Sequence, residues 1–394
     1  MQNSDRPPAS YPPLPWALYF RLVLRLALEG GRSRWHRLRG RSRGPRALTL
    51  TVTRRCDSRC LMCRIWQLQA PEEELSLADL RRFCRSPALR GLVELDLTGG
   101  EPFLRRDLPE LVEQLLELAP TYFPRLRTIA LATNALRPEQ IHRLVGELLA
   151  RIAGRVELAL VCSLDALGEL HDRIRGVPGA YQRVRQTLDR LATYRTGSWP
   201  FQLGLKTTIL PLNWAELPRL QRFAREQHLF QILSPVLFTQ ERFRNLPLQP
   251  QLDLWPRYQQ ELSRLYAQAT DQLYYAWTVL ATLRRGHRPR SCTAGLDHFF
   301  VEGDGTIYPC PLRPEPLGRL QTNTLEEILT SPRRAAAARR TGRHPTCRLC
   351  LEPGALRFSQ VSDGWHFLAF LLGPGGRQRA AQAYWGEGLE KYFI

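Results

Sequence analysis

A chain of 394 residues, 43 % of them hydrophobic and 24 % charged, can bury a full core and carry an appendage, which excludes a disordered chain. Its net charge of +19 comes from 56 basic residues against 37 acidic ones, yet only Lys206 and Lys391 are lysines. So uniform a preference for arginine is a compositional trait, and nucleic acid is not expected as a partner.

Residues 1–13 are proline-rich and read as irregular. Pro15 to Glu29 reads as a helix, with proline at its start and Gly30-Gly31 at its end. Arg21 and Arg25 share one face at i, i+4, whereas Trp16, Tyr19, Phe20, Val23, Leu24 and Ala27 lie largely on the other. Arg32 to Arg46 then holds seven arginines and no acid. The helix is too short to span a bilayer. Residues 1–46 thus form a basic amphipathic segment with two readings: a peripheral membrane contact through 15–46, or a helix docked on its own barrel.

Strand and helix patterns alternate over 47–236, which predicts an α/β fold of parallel βα units. Strands are expected at 47–53, 92–98, 127–133, 155–163, 201–209 and 229–236. Helices fit 76–85 with Ser76 as N-cap, 108–119, 138–152, 180–194 and 215–227. Alternate strand residues face one side, and here one side is repeatedly polar. Thr49, Thr51 and Thr53 oppose Leu48, Leu50 and Val52; Glu94, Asp96 and Thr98 oppose Val93, Leu95 and Leu97. Glu157, Ser163 and Asp165 continue the polar set, as do Gln202, Lys206 and Thr208. A closed eight-stranded barrel fills its interior with branched aliphatics; this pattern describes a cavity with a wet lumen. Lys206 projects into it beside Glu94, Asp96 and Glu157, as a substrate contact or as an ion pair plugging the floor.

Residues 237–290 form a connector with one long helical run over 254–285. A cysteine-rich segment, 291–358, follows. In it Glu302-Gly-Asp-Gly305 reads as a hairpin turn, and Thr324 with Glu327 as the capping box of a helix to Thr330. A tail, 359–394, carries an apolar patch over Trp365 to Leu372.

The chemistry lies in the cysteines. Cys56, Cys60 and Cys63 form C-x3-C-x2-C directly after the first strand. Three thiolates on one loop can hold three corners of an iron–sulfur cube and leave the fourth iron open to a small molecule. A structural zinc site wants four closed ligands, and no fourth Cys or His lies near: His36 and Cys84 are the closest. Cys292, Cys310, Cys347 and Cys350 make a second, four-thiol set, which closes either a 4Fe–4S cluster or a zinc site. Cys84 and Cys162 read as buried apolar residues, Cys162 on the helix side of its strand.

With Thr98-Gly-Gly-Glu-Pro102, Ser163-Leu-Asp165 and His171-Asp-Arg-Ile-Arg-Gly176 following in order, the chain resembles the radical S-adenosylmethionine (SAM) superfamily. The resemblance implies a partial (βα)6 TIM-like barrel over 47–236 with a small C-terminal SPASM/twitch-like extension. It implies SAM and a 4Fe–4S cluster on Cys56, Cys60 and Cys63, and a second, auxiliary 4Fe–4S cluster on the other four. Gly99 and Gly100 would meet the methionine amino group with Glu101 supporting the turn; Asn134, Ser163 and Arg175 would meet ribose or carboxylate. Met62 stands where the family often has an aromatic residue near the adenine. The activity implied is reductive cleavage of SAM to a 5′-deoxyadenosyl radical that takes a hydrogen atom from the substrate. The outcome would be oxidation, epimerisation or cross-linking of a carbohydrate-like small molecule or a peptide. A flavodoxin or ferredoxin would supply electrons, and the expected location is cytoplasmic or peripheral to a membrane. The rivals are an RNA-binding or RNA-modifying protein using the arginine clusters, and a zinc scaffold.

Overall fold

The computed structural model describes residues 11–68, 74–196, 200–239, 242–248, 255–268, 273–288, 292–362 and 364–393. Six strands follow one another in both sequence and space: β1 (Ala47–Thr53), β2 (Glu94–Gly99), β3 (Thr128–Thr133), β4 (Glu157–Ser163), β5 (Phe201–Ile209) and β6 (Phe230–Pro235). All are parallel to their neighbours. Helices α2 (Leu77–Cys84), α3 (Leu108–Tyr122), α4 (Pro138–Ile152), α5 (Glu169–Arg175), α6 (Ala180–Ala192) and α7 (Leu217–Glu226) fill the crossovers. Ser76 and Asp79 close a capping box at the start of α2. The short α5, inside the His171 motif, carries no apolar period long enough to read from sequence.

Register shows how the predicted lumen is lined. Thr49, Asp96, Ala130, Ala159 and Gln202 are partners across β1 to β5, so they form one rung of small or polar side chains. All five line a cavity of about 1090 Å³. Their aliphatic neighbours Leu50, Leu95, Leu131, Leu158 and Leu203 are buried in the main core with Cys162.

The cysteine-rich segment joins this sheet. β7 (His298–Val301) pairs in parallel with β1, followed by antiparallel β8 (Thr306–Tyr308) and β9 (Gly318–Arg319). The turn at Glu302–Gly305 is the predicted hairpin, and Thr324 and Glu327 form the predicted box on α10 (Leu325–Thr330). α11 (Pro332–Arg340) was not anticipated; Ser331 caps it by accepting from Arg334 N at 3.1 Å.

Three expectations need correction. The first helix, α1 (Trp16–Leu38), runs through Gly30-Gly31 into the arginines. Gly30 is buried on the packed face, and arginine is a good helix former, so the two glycines do not stop it. Its inner face packs on the tail helices α12 (Pro353–Ser362) and α13 (Gly364–Leu371), not on the barrel. The run over 254–285 is two helices, α8 (Trp255–Ala267) and α9 (Leu273–Arg285), with 269–272 outside the described residues, as are 1–10 of the proline-rich start. After α14 (Gly376–Ala381) the tail turns back under the barrel. There Lys391 Nζ meets Glu94 Oε2 at 2.7 Å, Tyr392 Oη donates to the same oxygen at 3.1 Å, and Arg357 pairs with Oε1. The floor pair of Glu94 is therefore made by the other lysine and not by Lys206. Among the described residues no helix is long and apolar enough to cross a membrane.

Candidate functional site

The loop after β1 is held from every side by backbone. Gly100 N donates to Thr53 O and Glu101 N to Arg55 O, both at 2.8 Å. A Cβ on Gly99 (φ +146°) would stand 2.0 Å from Thr53 O, and one on Gly100 2.2 Å from Arg55 O. The paired glycines are thus required first by the cysteine loop, which their own loop touches before it meets any ligand. On the opposite side Arg59 N and Leu61 N each donate at 2.9 Å to Arg175 O and Ile174 O, at the C-terminus of α5. Gly176 (φ +64°) leaves room there for Arg59 O. Asn245 Nδ2 donates to Met62 O at 2.7 Å, and Arg64 N to Phe243 O at 2.9 Å.

Held this way, Cys56, Cys60 and Cys63 share one wall of the cavity with Met62, Gly99, Gly100, Asn134, Ser163 and Arg175. Glu101 stands behind that wall. Its carboxylate accepts from Asn134 N (2.6 Å), Thr133 Oγ1 (2.9 Å) and Phe103 N (3.2 Å), bracketing the ends of β2 and β3. Burial nevertheless raises its pKa to about 7. Asn134 is engaged at both ends, donating to Asp57 Oδ1 at 2.7 Å and accepting from Leu136 N at 3.1 Å. Arg175 is divided between Asp165, at 2.7 Å, and Cys60 Sγ, at 3.7 Å. Its guanidinium is thus held beside the cysteine loop by a fully buried carboxylate. His171 Nδ1 accepts from Asp165 N at 3.1 Å, and burial lowers the imidazole pKa to about 3. Asp57, Asn245 and the Asp165–His171 pair were not assigned roles from sequence; Asp57, Asp165 and His171 at least stand inside the motifs, whereas Asn245, 183 positions from Met62, carries no local signal.

The thiols suit soft metal. All nine cysteines are free. Burial, with a contribution from Cys60, pushes Cys56 up to about 12 and Cys63 up to about 11. Such thiols stay protonated unless a cation replaces the proton, which is what iron does. The second set converges likewise. Cys292, Cys310, Cys347 and Cys350 are all buried round one small cavity. Burial and then Cys292 and Cys350 hold Cys310 well above the usual thiol value. Arg37 of α1 donates to Cys292 O at 2.6 Å. Arg313 braces the loop through a two-pronged contact with Glu315, 3.0 Å on each arm. Among the described residues no three Cys, His, Asp or Glu side chains close round a single metal ion. Pro311, Leu312 and Glu352 line both cavities, so the four-thiol site shares a wall with the lumen.

The lumen keeps further charge. Asp96 is pushed up to about 7 by burial, against the pull of Lys391 and Lys206. Lys206, opposite Ser163 in the register of β4 and β5, lines the cavity.

Known proteins resemble this chain in both its barrel and its cysteine-rich segment. The model of the radical SAM superfamily matches residues 50–224, and that of the SPASM iron–sulfur cluster-binding domain matches 292–351. An AdoMet-dependent heme synthase of Methanosarcina barkeri is 28 % identical over 72 % of this chain and 82 % of its own length. A GTP 3′,8-cyclase of Marinobacter nauticus is 32 % identical over 46 % of this chain, which spans half of that enzyme. Among solved structures, anSMEcpe with bound AdoMet superposes with a TM-score of 0.55 at 16 % identity, over 85 % of this chain and 99 % of that one. Streptococcus suis SuiB bound to precursor peptide SuiA gives 0.52 at 14 %, over 78 % and 69 %. The chain belongs to the radical SAM superfamily: it is an enzyme of that group with a SPASM domain, built to carry SAM, a SAM-binding 4Fe–4S cluster and auxiliary iron–sulfur ligation.

Proposed function

We propose that the enzyme abstracts a hydrogen atom from a substrate lodged in the barrel lumen, oxidising, epimerising or cross-linking a carbohydrate-like small molecule or a peptide. The observation that carries this reading is the single cavity bounded at one wall by Cys56, Cys60 and Cys63 and at another by the residues of the four-thiol site. When bound, the cluster and SAM supply one-electron cleavage of the sulfonium. The chain's own residues do the rest. Cys56, Cys60 and Cys63 hold one cluster, and Cys292, Cys310, Cys347 and Cys350 the other. Gly99, Gly100 and Ser163 offer backbone and hydroxyl to SAM, while Glu101 and Asn134 fix the loops that present them. Arg175, anchored by Asp165, sets a positive charge beside the cysteine loop. An electron carrier of the flavodoxin or ferredoxin kind serves the enzyme. Heme synthase, GTP cyclase and peptide-bound relatives span several substrate classes, and Asp96, Glu157, Gln202 and Lys206 on the cavity wall favour a substrate that carries hydrogen-bonding groups.

Within the lumen Lys206 is the cation for a substrate anion. It makes no salt bridge among the described residues, while Lys391 and Arg357 take Glu94. A compact ammonium suits a small anionic group. Anaerobically reconstituted protein given dithionite and SAM should release 5′-deoxyadenosine; none released would overturn the proposed function. Lys206→Met should retain that cleavage while uncoupling it from substrate turnover. Unchanged coupling would remove Lys206 from the substrate site.

A further inference from the structure

The helix α1 has two apolar faces, and only one is covered. Tyr19, Leu22, Leu26 and Gly30 face inward against α12 and α13. On a helix turning about 100° per residue, Phe20, Leu24 and Leu28 fall on the side away from that row, with Trp16 at its margin. These four are 57–61 % exposed, and Leu38 extends the row at 78 %. A soluble helix places polar residues there; this one reserves its outermost line for tryptophan, phenylalanine and leucine.

Charge borders the line in a definite pattern. Arg21, Arg25 and Arg32 run along one edge by helical position and Arg34 along the other. Arg377 sits with its guanidinium 4.4 Å from the centre of the Trp16 ring. The helix has a single acid, Glu29, which is turned inward and held by Arg43 at 2.7 Å, Arg46 at 3.1 Å and the edge residue Arg32 at 3.4 Å. The outer face therefore carries cations and no anion. Leu372, 66 % exposed, adjoins the start of α1, where Tyr19 Oη donates to Leu371 O at 3.0 Å.

We infer that this face docks on an anionic lipid bilayer, with α1 lying in the interface plane. A convex ridge one helix wide, tipped with tryptophan and edged by arginine, matches a surface of acyl chains and negative headgroups. Docking would also set the cavity beside the membrane, since its lining residues Tyr11, Tyr274 and Trp385 pack in the same secondary core as α1.

The test is sedimentation of the full-length holoprotein with vesicles of phosphatidylcholine alone or with about one-third phosphatidylglycerol. The protein should pellet with the anionic vesicles, less so as salt rises. The double variant Phe20→Ser/Leu24→Ser should weaken binding at least about tenfold, with the circular-dichroism melt and 5′-deoxyadenosine yield unchanged. Arg21→Gln/Arg34→Gln should cost about fivefold per arginine removed. No pelleting with anionic vesicles, or equal pelleting by the Phe20/Leu24 variant, overturns the inference. So does a vesicle-indifferent dimer that the same variant splits into monomers, which would make a second copy the occupant.

Discussion

The two cysteine centres differ in how the chain closes round them. The first is one loop of eight residues, 56–63, pressed between Gly99-Gly100, the end of α5 and Asn245, with its thiols on the wall of a large cavity. The second gathers four thiols from three separate places in the chain round a small, nearly dry space. A loop with three donors leaves a vacancy for a reactant; four donors drawn from a fold leave none. On the proposed function the same residue type would serve reactivity in one place and containment in the other, and the difference lies in the number of donors and the backbone that fixes them.

That contrast can be broken from either side. The largest effect should follow Cys60→Ala: SAM cleavage should drop to background, while the four-thiol site keeps its iron, read as about half the iron and sulfide of the parent protein. Cys310→Ala should do the reverse. Iron should fall from roughly eight to roughly four atoms per chain, with 5′-deoxyadenosine still formed and product formation lost. Equal loss of cleavage in both variants would erase the distinction. Gly100→Ala is subtler, because its Cβ would press on Arg55 O at 2.2 Å. The loop must yield, at about 1–3 kcal/mol, and iron occupancy of the first centre should fall ahead of the second, as electron paramagnetic resonance would resolve.

The smallest effect is a pH dependence behind the first centre. His171 has a folded pKa near 3, set mainly by burial, against the ordinary imidazole value of 6.5. Below pH 6.5 the unfolded chain takes up a proton that the folded one refuses, so stability is lost as pH falls from 6.5 toward 3. The slope is at most about 1.4 kcal/mol per pH unit. His171→Asn retains an acceptor for Asp165 N and should flatten the wild-type fall in urea midpoint between about pH 7.5 and 5.5. An unchanged slope would mean that His171 is not buried in the neutral form.

Much of this was legible from residue order. Period-2 alternation placed Asp96, Gln202 and Lys206 on the lumen side because a strand has only two faces, and the parallel register aligns Asp96 and Gln202 in one rung and Lys206 with Ser163 in another. The cysteine spacings were legible because ligation demands donor types that little else demands. What escaped were contacts between distant segments. Asn245 reaches Met62 across 183 positions, and Tyr392 reaches Glu94 across 298; no local pattern announces either. Helix α1 was cut short at Gly30-Gly31 because a glycine pair is a strong local stop, yet burial against α12 and α13 outweighs it. Arg175 could be placed at the rim from its motif, but not its division between Asp165 and Cys60, which depends on burial.

The pairing of β7 with β1 has a mechanical consequence. β1 delivers the open centre's loop and is laddered on one edge to β2, which delivers the paired glycines, and on the other to β7, which leads into the closed centre. One hydrogen-bonded ribbon therefore carries the segments on which both cysteine sets sit, and the ladder fixes how far apart those segments lie. The SPASM segment is no detachable cassette: excising it would bare a flank of β1 to the first sticky strand it met.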